Sequence, residues 1–400
     1  MARLAATQLG SLERKMRILI LDLKWSYGIE EITAILYEEL GKRCDVAVIS
    51  ATESRLPYSE KVARSETNAS MLLAFINPFV HARIIRHLMR IRPDVLYIIS
   101  PHFLNAAVGA YCRLFTDIVI VTHIHDPAHY GKKLVSSLVN SLSFIQCRLS
   151  HRIYCWGETI KRAICEKFRV SEARVAVFRH GPGQTTFYDK HLSSERRGLP
   201  HHFSMVGALQ KRKGIEYFLK AAILFNQQHG SDHAGFLLAG AGRLNEYREL
   251  MLQIPNLILR NTFVGNDEVN EILGQSYALV LPYVGGVLQS SFIAIAYGNG
   301  CPVIVSNIGS LPEEVENGRT GFIVEKANAE QIAAAMTKIY TEGEKANLSE
   351  NCIRVYKEKF SWDRIGEQMF RDMMLAADGR RKKKALEKVG QAVEAPRKSA

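Results

Sequence analysis

The segment VGALQKRKGIEYF, residues 206–218, combines glycines with a cluster of basic side chains. Gly207 follows a strand-like apolar run, and Lys213 and Gly214 stand where a helical pattern begins. A helix amino terminus presents free N–H groups and a positive dipole, and the lysine adds a full charge. These residues are suited to hold a phosphate or diphosphate group. A basic loop before an ordinary helix would have the same sequence, so both interpretations stay open.

A glycine-rich stretch from residue 281 to residue 324 holds a second group of polar side chains. Gln289, Ser290 and Ser291 stand directly before the helical pattern FIAIAYGN. Their amide, hydroxyl and backbone N–H groups can bind phosphate oxygens or sugar hydroxyls without any charge. Serine is also a common helix cap, so a purely structural capping role is the alternative.

Histidines gather where the strand-like run IVIVT ends. His123, His125, Asp126 and His129 follow one another within seven residues. Loops after parallel strands carry the active sites of α/β proteins, which favours contact with a ligand here. A metal site is one alternative, although the sequence offers no supporting ligands elsewhere. A structural role for the histidines is another.

Strand-like and helical patterns alternate along most of the chain and would position these residues. In the first half, RILILDL, VLYIIS and IVIVT are strand-like and alternate with helical patterns such as EEITAILYEELGKR. The same alternation resumes after residue 202. Repeated β-α-β units predict parallel sheets covered by helices on both faces. We therefore expect an α/β protein of two doubly wound, Rossmann-like domains that face each other across a cleft.

The predicted domain boundaries follow changes in this rhythm. Residues 1–15 are expected to be a flexible extension, and residues 16–188 form the first domain. The polar stretch 184–202 marks the linker, and residues 203–359 form the second domain. Helices at about 360–376 are expected to cross back and complete the first domain.

The net charge is strongly positive, with 52 Lys and Arg against 40 Asp and Glu and a surplus of +12. Half of this surplus lies in residues 379–400, a predicted basic tail. A solvated, disordered tail and a contact with anionic lipid are both open interpretations. No nucleic-acid-binding module accompanies the basic run, so nucleic acid is not expected as a partner.

Several features predict the compartment and exclude other classes of protein. A composition of 47% hydrophobic and 23% charged residues excludes a disordered or fibrous chain. No run of eighteen apolar residues is present, and residues 1–15 lack the features of a secretory signal. The seven cysteines show no C-x-x-C spacing. We therefore expect a cytoplasmic protein with reduced thiols.

Short motifs follow one another in a specific order. They are VG-x5-KG at Val206–Gly214, LLAGAG at Leu237–Gly242, FVG at Phe263–Gly265, LPY at Leu281–Tyr283, AYGNGCPVIVS at Ala296–Ser306 and GSLPEEVENGRTGFIV at Gly309–Val324. In this order and spacing the chain resembles the retaining glycosyltransferases of family 4, which have the GT-B fold. The resemblance extends over roughly Met16 to Met374.

This resemblance implies transfer of a sugar from a nucleotide-diphosphate-sugar donor to an acceptor hydroxyl, with retention of anomeric configuration. It implies a role in surface polysaccharide or glycolipid assembly, with no cofactor and no metal requirement. Lys213 matches the family lysine that holds the donor diphosphate, beside the Gly207 loop. The family arginine five residues earlier is replaced by Ala208, and Lys211 or Arg212 would have to substitute for it.

The family also has two glutamates, eight residues apart, that engage the donor sugar and the ribose. Val287 and Ile295 stand at those positions. A branch of similar enzymes instead carries S-Q-S-G-V followed by A-Y, and VLQSSFIAIAY resembles that variant. By this resemblance Gln289, Ser290 and Ser291 are donor-binding residues.

In the first domain, the family histidine near the donor sugar corresponds to His125, with His123 as the second choice. The same branch has H-D-P, which corresponds to His125 and Asp126 with the proline that follows, so His125 and Asp126 are the expected catalytic residues. Gly28 corresponds to the glycine-rich turn after the first strand. Gly28 and His123 are thus expected on the acceptor side.

The acceptor, a saccharide or a lipid-linked saccharide, is expected on the first domain. The helical segment HARIIRHLMRIR carries Arg83, Arg86, Arg90 and Arg92, either as a solvated basic face or as a contact with an anionic membrane surface. In the second case the enzyme would be peripheral on the inner face of the membrane. A catalytically inactive glycosyltransferase-like scaffold and a sugar-nucleotide epimerase of the same fold are the alternatives.

Overall fold

The computed structural model describes residues 15–23, 27–52, 54–63, 67–100, 102–127, 133–183, 201–285, 289–343 and 347–394. The described chain divides into two compact units. The first unit takes in the described residues up to Tyr154, the segment Cys165–Ala176 and the chain from Gly366 onward. The second unit comprises Cys155–Ile164 and Val177–Ile365. The predicted 1–15 extension, Lys15 excepted, lies outside the described residues.

The first sheet consists of short apolar strands. They are β1 (Arg17–Asp22), β2 (Asp45–Ala51), β3 (Ser59–Ala63), β4 (Val95–Ile98), β5 (Val119–His123), β6 (Arg152–Cys155) and β7 (Val175–Val177). Their order in the sheet is β3-β2-β1-β4-β5-β6-β7, and the pairs from β3 to β6 are parallel. The apolar run in β1 is buried along nearly its whole length, as expected for a parallel strand covered on both faces.

Six helices connect these strands. They are α1 (Tyr27–Gly41), α2 (Asn68–Ile76), α3 (Pro78–Ile91), α4 (Phe103–Phe115), α5 (Lys133–Leu149) and α6 (Glu158–Phe168). The strand order reverses between β1 and β4, which creates a switch point at the carboxyl ends of these two strands. Ligands of open α/β sheets bind at such points.

The second sheet repeats this plan. Its strands are β8 (His202–Val206), β9 (Gly235–Ala239), β10 (Leu257–Arg260), β11 (Ser276–Leu281), β12 (Val303–Ser306) and β13 (Gly321–Val324). They are parallel in the order β10-β9-β8-β11-β12-β13. The helices are α7 (Ile215–His229), α8 (Arg248–Met251), α9 (Asn266–Gly274), α10 (Phe292–Gly298), α11 (Ala329–Glu342), α12 (Leu348–Val355) and α13 (Trp362–Glu394). The two sheets confirm the predicted pair of Rossmann-like α/β domains.

Strand β3, helix α2 and helix α5 of the described first unit have no counterpart in the sequence predictions. Strand β3, SEKVA, is an edge strand with polar residues at its start, so its apolar pattern is too short to recognise. Helix α2 begins after Thr67, whose side chain and Ser70 form a reciprocal capping box. Its exposed apolar residues gave no clear amphipathic period.

The long helix α13 crosses from the second unit to the first. From Gly366 onward it packs on the first unit, where a β-carbon at Gly366 would stand 2.9 Å from Cβ of Glu39. Asp372 accepts hydrogen bonds from Arg152 Nε at 3.0 Å and from Tyr154 Oη at 2.8 Å. The described first unit ends at Ala176 before this return, earlier than the predicted boundary at 188. The predicted linker lies almost entirely outside the described residues.

The prediction of a disordered tail is wrong for residues 379–394, because they continue helix α13. Arg381 forms an ion pair with Asp94 at 2.6 Å, and Lys384 pairs with Asp117. Arg380 donates hydrogen bonds to the carbonyl oxygens of Thr116 and Asp117. These acidic and carbonyl groups lie at the amino ends of β4 and β5, and they keep the basic segment folded onto the unit.

Candidate functional site

The turn after β8 brings a glycine and a lysine together. Gly207 has a φ of +104°, in the region that favours glycine. A β-carbon at this position would stand 3.2 Å from Lys213 Nζ and 3.1 Å from the ring of Phe292. The missing side chain of Gly207 therefore leaves space in front of the lysine amine.

Lys213 is a half-buried cation without an anionic partner. Its Nζ lies 5.6 Å from the ring centroids of both Tyr283 and Phe292, and forms no hydrogen bond or ion pair with any described residue. Burial and, to a smaller extent, the nearby positive charge of Arg212 together lower the pKa of the Lys213 ammonium to about 8. A bound anion would relieve both effects.

Two further glycines allow the backbone of this turn to close. Gly214, in the left-handed conformation with φ +76°, lies so close to Pro282 that a β-carbon would be 1.8 Å from its carbonyl oxygen. A β-carbon at Gly240 would be 1.9 Å from the carbonyl oxygen of Gly207. The ends of β8, β9 and β11 thus meet backbone to backbone, and no larger residue fits at either position.

The predicted polar group before α10 lies in the same unit, next to Tyr283. Tyr283 Oη and Ser290 Oγ are 3.3 Å apart, and burial raises the pKa of Tyr283. Oε1 of Gln289 is buried without a hydrogen-bond partner among the described residues. Ser291 stands at the N-cap position of α10 but its side chain makes no capping hydrogen bond. Simple capping therefore does not explain Ser291.

The substitutes considered for the missing arginine differ in their surroundings. Ala208 itself is exposed. Lys211 points to Glu246, with a 3.6 Å ion pair, and is largely exposed. Arg212 donates from Nε to Gln210 Oε1 at 2.8 Å, and its charge acts on Lys213. Of these two cations, Arg212 is therefore the one whose charge acts on the Lys213 amine.

The position of the second family glutamate is part of the apolar core. Ile295 is buried in α10 among the side chains of the second unit's core. A carboxylate here would lose its hydration without a counter-charge. Val287, the position of the first glutamate, lies outside the described residues.

In the first unit, His123 and His125 lie at the carboxyl end of β5. Their rings stack at 4.5 Å between centroids, and His123 Nδ1 is 2.7 Å from Tyr97 Oη. His125 Nε2 donates to the carbonyl oxygen of Ile99 at 2.9 Å. His123 is fully buried whereas His125 is half-buried. His125 is thus the more accessible of the pair, and His123 supports it from beneath.

The remaining predicted residues of this group are less informative. Asp126 is half-buried beside His125, and His129 lies outside the described residues. Among the residues that the structure describes, no group of three His, Cys, Asp or Glu side chains is arranged to hold a metal ion. Gly28 was expected in a loop after β1. The structure places it instead in the first turn of helix α1, which begins at Tyr27.

Asp22 is a functional candidate that the sequence interpretation missed. It ends β1 at the switch point, is buried, and accepts a hydrogen bond from Thr33 Oγ1 at 2.8 Å. Its Oδ1 has no partner among the described residues. Burial raises the pKa of Asp22 to about 7, with Glu30 adding to the rise and the Thr33 hydrogen bond opposing it. The sequence signal that could have identified Asp22 was a carboxyl group at the end of an apolar strand.

Asp22 and His123 share one face of the sheet. Ile20, Tyr97 and Val121 are in register across β1, β4 and β5, and Asp22 and His123 each follow two residues later along their strands. Strand β4 lies between them, so their backbones are roughly 10 Å apart by the spacing of neighbouring strands. Both side chains therefore flank the carboxyl end of β4.

Comparison with known proteins agrees with this architecture. Residues 200–342 match the family model described as glycosyl transferases group 1, and residues 27–181 match that of Glycosyltransferase Family 4. With the two Rossmann-like sheets, which show the GT-B fold, these matches support a glycosyltransferase of the family 4 and group 1 type.

The chain is similar to individual proteins of this type. An uncharacterized glycosyltransferase of Methanocaldococcus jannaschii is 25% identical over 284 residues, 67% of this chain and 71% of that protein. The UDP-Gal:alpha-D-GlcNAc-diphosphoundecaprenol alpha-1,3-galactosyltransferase of Escherichia coli is 24% identical over 230 residues, 55% of this chain and 59% of that enzyme. The crystal structure of Anabaena HepE in complex with UDP has a TM-score of 0.65 at 17% identity, and the match covers 90% of this chain and 100% of that one.

None of the described helices combines the length and apolarity needed to cross a bilayer. All seven cysteines are free thiols, and six of them are buried.

Proposed function

We propose that this protein is a retaining hexosyltransferase that moves a sugar from a nucleoside-diphosphate sugar to an acceptor hydroxyl. The observation that carries the proposal is the Lys213 amine, half-buried in front of Gly207 without an anionic partner among the residues that the structure describes. A cation in this setting fits a diphosphate, because bound phosphate oxygens would supply the missing counter-charge. A uridine nucleotide is the first choice of donor, since the similar fold of Anabaena HepE was solved with UDP.

The donor residues would act mainly on the leaving group. As the bond between the anomeric carbon and the diphosphate breaks, negative charge grows on the phosphate oxygens. Lys213 and the backbone at Gly207 are placed to stabilise that charge. Gln289 and Ser290 are uncharged and would hold hydroxyl groups of the sugar or the ribose, in agreement with Oε1 of Gln289, which has no hydrogen-bond partner within the described part of the chain. No metal or cofactor is part of this proposal.

The acceptor would bind at the carboxyl end of the first sheet. His125 and Asp126 remain the proposed catalytic residues, and Asp22 and His123 flank the same sheet edge. Oδ1 of Asp22, which has no partner among the described residues, can accept a hydrogen bond from an acceptor hydroxyl. A lipid-linked saccharide in surface polysaccharide or glycolipid assembly is the proposed acceptor, as the name of the Escherichia coli relative specifies a diphosphoundecaprenol substrate.

Thermal unfolding with uridine, guanosine and adenosine diphosphates tests donor binding. One of the three should stabilise the protein by about 2.7 kcal/mol at a hundredfold excess over its Kd. Its hexose conjugates should then release free nucleotide in the presence of the protein, and Lys213→Met should strongly reduce both effects. The proposed donor site would be contradicted if none of the three nucleotides stabilised the protein. It would also be contradicted if all three stabilised the wild-type protein and the Lys213→Met variant equally.

An inactive scaffold is the second candidate, favoured by the burial of Ile295 where the family carries a glutamate. The two candidates differ in turnover. A scaffold would release no nucleotide from any nucleotide sugar above the rate of the Lys213→Met variant. Nucleotide release by the wild-type protein, lost in that variant, would exclude the scaffold.

A further inference from the structure

Helix α2 leaves three large apolar side chains more than half exposed, and Phe75 beside them is exposed over 37% of its surface. Leu72, Leu73 and Ile76 are all exposed, whereas Ala74 packs into the core of the first unit. At 3.6 residues per turn the three exposed residues lie within an arc of about 100°. The helix is therefore held by one face and presents an apolar face outward. Contiguous exposed apolar residues mark interaction surfaces on folded proteins.

Helix α3 continues this surface with positive charge. Phe79 is exposed over 83% of its surface, and Arg83 and Arg86 follow it at helical spacings of four and seven residues, on the same face. Ile84 and Leu88 are buried on the opposite face. Neither Arg83 nor Arg86 forms a hydrogen bond or ion pair within the part of the chain that the structure describes. The stripe is thus an exposed aromatic ring followed by two unpaired guanidinium groups.

We propose that Leu72, Leu73, Ile76, Phe79, Arg83 and Arg86, here called the α2–α3 surface, dock the protein on an anionic lipid bilayer. The apolar side chains would enter the boundary between headgroups and acyl chains, where amphipathic helices bind. The two arginines would contact the headgroup phosphates. Charge decides between a bilayer and a second copy of this chain, since two copies would bring four unpaired arginines together, whereas anionic lipid neutralises them.

The same structure argues against the basic tail as the main lipid contact. Arg380, Arg381 and Lys384 are bound to carbonyl and carboxylate groups of the first unit. Their charges are largely compensated there, whereas Arg83 and Arg86 form no ion pair among the described residues. Of the two basic segments considered for a membrane contact, helix α3 is therefore the one whose arginines Arg83 and Arg86 stay available, whereas Arg380, Arg381 and Lys384 of the tail are engaged.

The purpose of membrane docking rests on the proposed function, because a lipid-linked acceptor would lie in the bilayer. Its test does not depend on that function. Binding to vesicles is measured without donor or acceptor, so loss of vesicle binding and loss of sugar transfer are separate outcomes.

The experiment is co-sedimentation of the full chain with vesicles of phosphatidylcholine, with and without phosphatidylglycerol. Wild-type protein should bind the anionic vesicles at least tenfold more tightly, and added salt should weaken the binding. Arg83→Gln/Arg86→Gln should lose about fivefold affinity per arginine. Leu73→Glu/Phe79→Glu should lose most binding at every salt concentration, because it removes the inserted side chains.

Matched controls come from the second unit. Phe263 is also exposed over 83% of its surface, so Phe263→Glu should leave binding unchanged. Lys326→Gln/Lys357→Gln removes the same charge as the double arginine variant from other exposed positions. Equal loss in these controls and in the α2–α3 variants would overturn the proposal, because it would show only a general effect of charge.

Two other results would also overturn it. Wild-type protein that binds neither kind of vesicle has no lipid-docking surface. Sedimentation of a wild-type dimer that Leu73→Glu/Phe79→Glu converts to a monomer, without any vesicle binding, would assign the surface to self-association. Unchanged thermal unfolding of the double variants, expected because their side chains are exposed, shows that the readout reflects binding and not loss of fold.

Discussion

Lys213 Nζ lies 3.2 Å from the point where a β-carbon on Gly207 would stand. The glycine, at the end of β8, keeps open the space that the amine faces from the next turn of the chain. The φ of Gly207 is +104°, a conformation that favours glycine. Glycine at this position therefore fits the backbone conformation and also leaves the space in front of the Lys213 amine. A substitution at either residue should therefore affect the same ligand.

The first prediction concerns the charge of Lys213. Because its pKa is near 8, the amine carries its charge below that pH and loses it as pH rises. Affinity of the free protein for uridine diphosphate should therefore fall above about pH 8. Lys213→Met should weaken binding about ten- to a hundredfold at pH 7 and remove this pH dependence. Isothermal titration at several pH values measures both effects.

Lys211→Met is the matched control, since Lys211 is exposed and paired with Glu246. It should change the affinity less than threefold, which lies within the range of an exposed ion pair. Affinity for the nucleotide that stays constant up to pH 10 in the wild-type protein would contradict the assignment of the diphosphate to Lys213.

The second prediction concerns Gly207. Alanine there would be strained by the positive φ and would press on Phe292 at 3.1 Å and on the Lys213 amine. We expect Gly207→Ala to destabilise the protein by about 1–3 kcal/mol and to weaken nucleotide binding. Urea unfolding and nucleotide titration measure the two effects. Gly265→Ala, where no atom lies within 4 Å of the added carbon, should change neither.

The third prediction concerns Asp22 and pH. Its folded pKa is about 7 and its ordinary value is 3.8, so between these values the folded state holds a proton that the unfolded state has lost. The free energy of unfolding should therefore decrease as pH rises from about 4 to 7, by a few kcal/mol from this group. Asp22→Asn cannot ionise and should keep that stability at pH 7 and above.

Urea unfolding of the two proteins at pH 5 and pH 8 checks this sign. The free energy of unfolding of Asp22→Asn should exceed that of wild type by more at pH 8 than at pH 5. Asp45→Asn, which changes an exposed carboxyl, should behave as wild type. If the difference is the same at both pH values, Asp22 is ionised in the folded protein as it is in water. Reduced sugar transfer by the stable Asp22→Asn variant would support its role toward the acceptor.

The fourth prediction separates the two stacked histidines. His123 is fully buried and bound to Tyr97, so His123→Ala should lower stability by about 2–4 kcal/mol through the cavity and the lost hydrogen bond. His125 is half-buried, and His125→Ala should reduce turnover with little change in unfolding. Full turnover in His125→Ala would transfer the proposed catalytic role away from this side chain.

Features built within one strand, turn and helix could be predicted from the sequence. Gly207, Lys213 and Gly214 lie in one connection between β8 and α7, so their types and spacing already offered an anion site there beside the alternative of an ordinary basic loop. The pair of Rossmann-like sheets was also predictable, because buried parallel strands are continuous apolar runs. Helix α2 and strand β3 were missed, since one is largely exposed and the other is a short polar edge.

What only the tertiary structure decided depends on residues that are distant in the chain. Asp22 and His123 come to one sheet edge because β1 and β4 are neighbours at the switch point. The basic tail is helical through residue 394, and its Arg381 and Lys384 pair with Asp94 and Asp117, whose positions no local pattern reveals. Local sequence determines the helical or strand periodicity and the turns. Burial and charge pairing arise from contacts that form only when the strands assemble. Those contacts decided which charges remain available to bind a partner.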